Sequence, residues 1–189
     1  MQTEELKEKI MEVESNVNYY LPGSKWETEV VFKNEITLMQ YRPVLLSLVG
    51  DIMDAAIRAQ TVGYPPYHTS ILAPSSPLAT YLSLKNLVRV VDYNRENFYS
   101  EEFINYNLGH VGEGAVGDII YWTITDTYEV ASEIRDFDRH IEIDTVYVAF
   151  SLSDKGLNIF KEKLEGIKVV HLFDVGESCT FNKAALEVR

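Results

Sequence analysis

The stretch IEIDTVYVAFSLSDKGLNIFKEKLEGIKVVHLFDV, residues 141–175, decides the fold class. Its first part, from Ile141 to Leu152, is dense in β-branched and aromatic residues and reads as a strand. Ser153 stands where a helix needs an N-cap, and Leu157, Phe160 and Leu164 follow at helical spacing on one face. Gly166 ends that helix, and residues 167–175 read as a second strand. Strand, helix, strand in about 35 residues is a βαβ-type unit, parallel and right-handed when both strands share a sheet. The expected fold is therefore α+β: one domain over residues 1–189, with a mixed β-sheet packed by helices.

Upstream of that unit, residues 4–17 read as a helix. Thr3 is its N-cap, Glu4 and Glu5 suit the positive end of the dipole, and Leu6, Ile10, Val13 and Val17 form one stripe. The stripe docks either on the chain's own core or on a partner chain, and own-core docking is the simpler expectation. Residues 25–32, KWETEVVF, look like a strand. A second helix is expected from Pro43, placed at N1, to about Gln60, with Leu45, Leu48, Val49, Ile52, Ala56 and Ala59 on its buried face. Asp54 and Arg58 are spaced to pair at i,i+4 on its outer side.

Residues 61–77 hold Pro65, Pro66, Pro74 and Pro77, four of the six prolines, and read as an ordered, irregular connection over the surface. Ser76 and Pro77 then start a short helix to about Leu84. Strands are expected at 86–93 and 118–124, with a helix between them that Ser100 caps and Gly109 ends. Residues 127–135 fit a short helix or the far side of a hairpin.

Net charge is −12, with 29 acidic against 17 basic residues spread along the chain. That balance argues against nucleic acid and anionic membranes as partners, since both demand clustered Lys and Arg. The single cysteine, Cys179, permits no internal disulfide and no cysteine-based zinc site. A secretory signal is not seen at the charged start of the chain. The longest apolar run, residues 43–50, is too short to span a bilayer. A cytoplasmic setting follows as the default, or the host cytoplasm if the gene is viral.

Three stretches raise chemistry. In DFDRHIEID, residues 136–144, ionisable groups occupy alternate positions. On a strand they share one face, about 6.5–7 Å apart. Asp138, His140 and Glu142 form a weak candidate metal trio of the mixed kind that suits zinc, manganese or iron. The wet side of an edge strand explains the pattern more simply.

GHVGEGAVGD, residues 109–118, contains a literal G-x-G-x-x-G. The fingerprint needs a strand before and a helix after, and this context is reversed. Glu113 and Asp118 would repel phosphate, so nucleotide binding is rejected. His110 and Glu113 remain as loop-based binding candidates. In GYPPYHTSIL, residues 63–72, Tyr64, Tyr67 and His68 are candidate binding residues on a stiff polyproline-like segment. His68 is also a weak catalytic candidate, but a two-histidine phosphodiesterase pattern needs a second His-x-Ser or His-x-Thr, which is absent.

No cofactor is implied. The expected function is non-enzymatic: a protein–protein interaction or assembly protein that oligomerises, of the kind found in phages and mobile elements. Two alternatives stand beside it, a small hydrolase or phosphoesterase using His68, and an acidic mimic of nucleic acid that blocks a DNA-binding protein.

Overall fold

The computed structural model describes residues 3–19, 43–61, 69–74, 76–85, 89–91, 116–124, 142–152 and 154–188, with Ala131, Ser132, Ile134, Arg135 and Asp138. Its elements in chain order are α1 (Glu4–Tyr19), α2 (Val44–Gln60), β1 (Thr69–Pro74), α3 (Pro77–Leu84), β2 (Arg89–Val91), β3 (Val116–Ile124), β4 (Glu142–Ser151), α4 (Asp154–Lys163), β5 (Lys168–Val175) and β6 (Cys179–Phe181), followed by a 3-10 turn over Lys183–Leu186.

The strands form one sheet in the order β2-β1-β3-β4-β5-β6. Every neighbouring pair is parallel except β5 with β6, which closes one side as an antiparallel edge. The domain is the expected α+β type with a mixed sheet packed by helices, and helices cover both faces of that sheet.

Alternation along the central strands explains the two layers. Ile120, Trp122, Tyr147, Ala149, Val170 and Leu172 share a core with α1, α2 and α3. Ile119, Ile143, Val146 and Val148 face the other way, onto Ala131, Ile134, the α4 residues Leu157 and Phe160, and Leu164 just past α4. Strand β4 is buried on both sides from Thr145 to Ser151, which is why its sequence is a continuous apolar run. Within the first of these cores runs an aromatic row. Trp122 meets Phe150 edge-on at 5.0 Å, Phe150 stacks with Phe173 at 5.5 Å, and Phe173 meets Phe181 at 5.4 Å.

Local signals place most of the described elements. Thr3 Oγ1 accepts the Leu6 amide at 3.3 Å, and Ile10, Val13 and Val17 bury against the chain's own core. Ser76 caps α3 by accepting from the Ala79 amide at 3.1 Å, with Pro77 at the first helical position. Gly166 ends the α4 segment at φ +88°, in the left-handed region that favours glycine. Asp54 and Arg58 pair at 2.6 Å. Pro43 is one position earlier than expected, at the N-cap of α2 rather than N1.

The structure also corrects the reading of residues 61–77. The 61–77 connection is not irregular throughout, because Thr69–Pro74 is strand β1, paired on both sides inside the sheet. Pro74 within this strand and Pro65, Pro66 and Pro77 around it are signals that argue against a strand inside a sheet. The ambiguous 127–135 region is helical at its described positions, Ala131, Ser132, Ile134 and Arg135. The expected strand at 25–32 and helix after Ser100 lie outside the described residues.

Candidate functional site

Of the residues singled out by sequence, Tyr64, Tyr67, His68, His110, Glu113 and His140 lie outside the described residues. The stretch 136–144 is not one strand: Asp138 is helical, and β4 begins only at Glu142. Asp138 is engaged at that junction. One carboxylate oxygen accepts the Ile143 amide at 3.0 Å, and the other accepts from Arg135 at 3.3 Å. Arg135 also donates to the backbone carbonyls of Lys163 and Glu165, tying the junction to the end of α4. Glu142 is exposed, and Asp144 accepts the Thr145 hydroxyl at 2.8 Å. Among the described residues, no three His, Cys, Asp or Glu side chains converge in a way that could hold a metal ion.

Asp118 is buried in β3, at a register shift between Gly117 and Asp118. Its carboxylate accepts the Thr145 amide at 3.1 Å. The buried His171 on β5 pairs with Asp174 at 2.9 Å, while Asn182 donates to its backbone carbonyl at 3.0 Å. Cys179 is buried, and burial pushes its thiol well above the usual range, with the Glu14 and Asp174 charges adding to the effect. That environment suits a packing residue rather than a nucleophile.

The larger described cavity, about 400 Å³, is a groove on the helical layer between α1, α2 and the segment after β6. Its floor is an ion cluster that local sequence does not announce. Glycine at position 50 of α2 leaves room for the Tyr81 ring, which a Cβ there would strike. The Tyr81 hydroxyl thereby reaches Asp51 at 2.7 Å. Lys9 from α1 donates to the other Asp51 oxygen at 2.8 Å, and Lys85, just past α3, donates to the same oxygen as Tyr81. Lys9 also pairs with Glu5 at 2.8 Å, and the Lys85 ammonium stands 5.1 Å from the Tyr81 ring centre.

Three donors on one carboxylate fix its chemistry. Partial burial pushes the Asp51 carboxyl up, but hydrogen bonds from Lys85, Lys9 and Tyr81 together outweigh it and bring the group down to about 2. Hydrogen bonding to Asp51 holds both lysines above their ordinary values. Burial, then the bond to Asp51, raises the Tyr81 hydroxyl. At neutral pH the cluster therefore contains a satisfied carboxylate, two ammonium groups and a neutral phenol. It is a joint between three helical segments, and no member is poised as a base or nucleophile.

The rest of the groove lining combines the aliphatic Leu6, Ala55, Ala59, Leu186 and Val188 with the polar Thr3, Glu5 and Asp54. Gln60, buried at the end of α2, holds the wall formed by the segment after β6, donating to the carbonyls of Ala185 at 3.1 Å and Glu187 at 3.0 Å. Lys168 donates to Gln60 from the start of β5. Val188 in this lining is 60% exposed, and Leu84, next to Lys85 in the chain but outside the lining, is 80% exposed. A second, smaller cavity of about 240 Å³ lies at the carboxyl ends of β4 and β5, lined by Ser151, Asp154, Asp174, Glu177 and Thr180 among others.

No family model matches the chain. No curated protein matches it. Among solved structures it is similar to UMP synthase of Leishmania donovani, with a TM-score of 0.47 and 18% identity. The likeness covers 73% of this chain and 28% of that one, so this chain corresponds to under a third of that protein's length.

Proposed function

We propose that this chain acts by contact with protein, as an interaction or assembly protein that associates with further copies of itself, and not by catalysis. The observation that supports this reading is the groove between α1, α2 and the segment after β6. Its Asp51 cluster is internally satisfied, its lining includes the aliphatic Leu6, Ala55, Ala59, Leu186 and exposed Val188, and Leu84 is a further exposed apolar side chain next to Lys85 in the chain. Such a surface gains by excluding water from aliphatic side chains and offers little to a reacting group. The acidic composition fits the same reading, with no nucleic-acid or anionic-membrane partner. None of the described helices is long and apolar enough to cross a membrane. A cytoplasmic site of action, in a host cell if the gene is viral, belongs to this proposal.

Native mass spectrometry and light scattering on the purified chain test it. The wild type is expected as an oligomer of bare chains, and Leu84→Asp with Val188→Asp is expected to return it to the monomer. A wild type that is monomeric at all concentrations, or an oligomer indifferent to both substitutions, overturns the reading. A retained metal or small ligand would move a catalytic function ahead of it, beginning with the hydrolase reading through His68.

A further inference from the structure

The imidazole of His171 is buried on β5, and its two nitrogens meet different partners. Nε2 lies 2.9 Å from Asp174 Oδ1, a bond that requires the proton on Nε2. Nδ1 lies 3.5 Å from Asn182 Nδ2, in the segment after β6. The orientation of the Asn182 amide is fixed by two other partners. Its nitrogen donates to the His171 carbonyl at 3.0 Å, and its oxygen accepts the Ala184 amide at 3.3 Å, capping the 3-10 turn over Lys183–Leu186. Turning the amide over would set oxygen against oxygen at the first contact and nitrogen against N–H at the second. An amide NH2 therefore faces Nδ1, which must be the bare acceptor nitrogen of a neutral ring.

Nδ1 is thus the position at which His171 takes up a further proton, and that proton would point at a donor. Histidine is the side chain that ordinarily titrates between about pH 5 and pH 8. The charged groups nearest the ring are acidic. Asp174 is its partner, and Asp154 from α4 and Glu177 from the turn between β5 and β6 line one cavity with Asp174. Val148, opposite His171 on β4, is apolar. Lys183, next to Asn182 in the chain, is exposed, and Glu14 of α1 is engaged at the outer edge of β6, closing that edge by accepting the Phe181 amide at 2.7 Å. A charged ring can keep Asn182 as a partner only if the amide turns over and offers its oxygen, which withdraws that oxygen from Ala184.

We propose that His171 is a pH switch on the turn after β6: a proton on Nδ1 and the Asn182 cap on Ala184 exclude each other, so acid loosens the turn and with it the Leu186 and Val188 side of the groove. The turn keeps a second tie, from Gln60 to the carbonyls of Ala185 and Glu187, so it loosens at its start and does not detach. The proposal concerns the state of the turn and does not depend on what the groove binds.

Nitrogen NMR of the imidazole and amide hydrogen exchange at Ala184, on the full-length protein at about pH 8 and about pH 5, test it. At the higher pH the ring is expected as the Nε2–H tautomer. At the lower pH it is expected as the imidazolium, with the Ala184 amide exchanging about tenfold faster relative to its intrinsic rate and the β4 amides unchanged. His171→Gln, which cannot take up the proton, is expected to keep the same Ala184 protection at both pH values. Asn182→Ala, which removes the cap and leaves the ring, is expected to exchange fast at both. An Nδ1–H tautomer at the higher pH overturns the proposal, as does a ring that stays neutral at the lower one. So does Ala184 protection that is indifferent to a charged ring, or a pH dependence that survives either substitution. The tautomer and the wild-type exchange are read on the unaltered chain, so they decide the matter even if a variant does not fold.

Discussion

Single residues set the described groove, and two of them carry predictions. Glycine in mid-helix costs about 1 kcal/mol relative to alanine, so α2 is stabilised intrinsically by Gly50→Ala. The ring of Tyr81 occupies the space the new methyl needs, and overpacking of this kind costs roughly 1–3 kcal/mol. The expected net result is a loss of about 1 kcal/mol, measured as a lower denaturant midpoint, together with displacement of Tyr81 from Asp51. Asp51 itself links stability to acid. Its folded-state carboxyl lies below the ordinary value of 3.8, at about 2. The stabilisation is thus fully present above the ordinary value and is lost as pH falls through the folded one. Asp51→Asn should flatten the fall in stability between about pH 4 and pH 2, read from denaturant midpoints across that range. If the variant keeps the wild-type acid slope, the cluster is not what holds α1 and α3 to α2. Gly50 and Asp51 could be read individually as a glycine and an acid in an amphipathic helix. Their partners, Lys9, Tyr81 and Lys85, lie in other elements, and no spacing rule connects them.

At the scale of the element, caps and stops are local and were legible. Thr3, Ser76 and Gly166 each do what their residue type and position suggest, because a cap is completed within three or four residues of chain. Gly166→Ala meets no neighbouring atom, so its cost is purely that of the left-handed backbone, about 1 kcal/mol. A thermal shift of the variant, with Gly166→Asn closer to wild type, checks this, since asparagine tolerates that region better. The central strands were legible for another reason: burial on both faces leaves a continuous apolar run that survives any choice of neighbour. Strand β1 was not, since Thr69–Pro74 itself carries a proline and is set among others. Nor was β6, whose three residues become a strand only because β5 lies beside them. The 136–144 alternation misled for the converse reason. It has strand periodicity, but Asp138 is helical and accepts the Ile143 amide at the entry to β4.

For the whole molecule, two cores share one sheet, one beneath α1, α2 and α3 and the other beneath α4. Damage to either should therefore be felt in both. Phe160→Ala, in the α4 core, is expected to cost roughly 3–5 kcal/mol and to lower the unfolding midpoint reported by Trp122 on the opposite face by the same amount as that of far-UV circular dichroism. Separate transitions would mean that the two layers fold independently. The sequence by itself determined the α+β class, the strand–helix–strand unit over 141–175, the apolar stripe of α1 and the acidic charge, because each depends on contacts a few residues apart or on composition alone. Only the tertiary structure decided the strand order, the groove with its Asp51 cluster and the closure of the β6 edge. Those rest on pairs such as Asp51 with Lys85 and Glu14 with Phe181. The free energy of such pairs appears only once the sheet has brought distant segments together, and nothing in the local chain encodes which segments those will be.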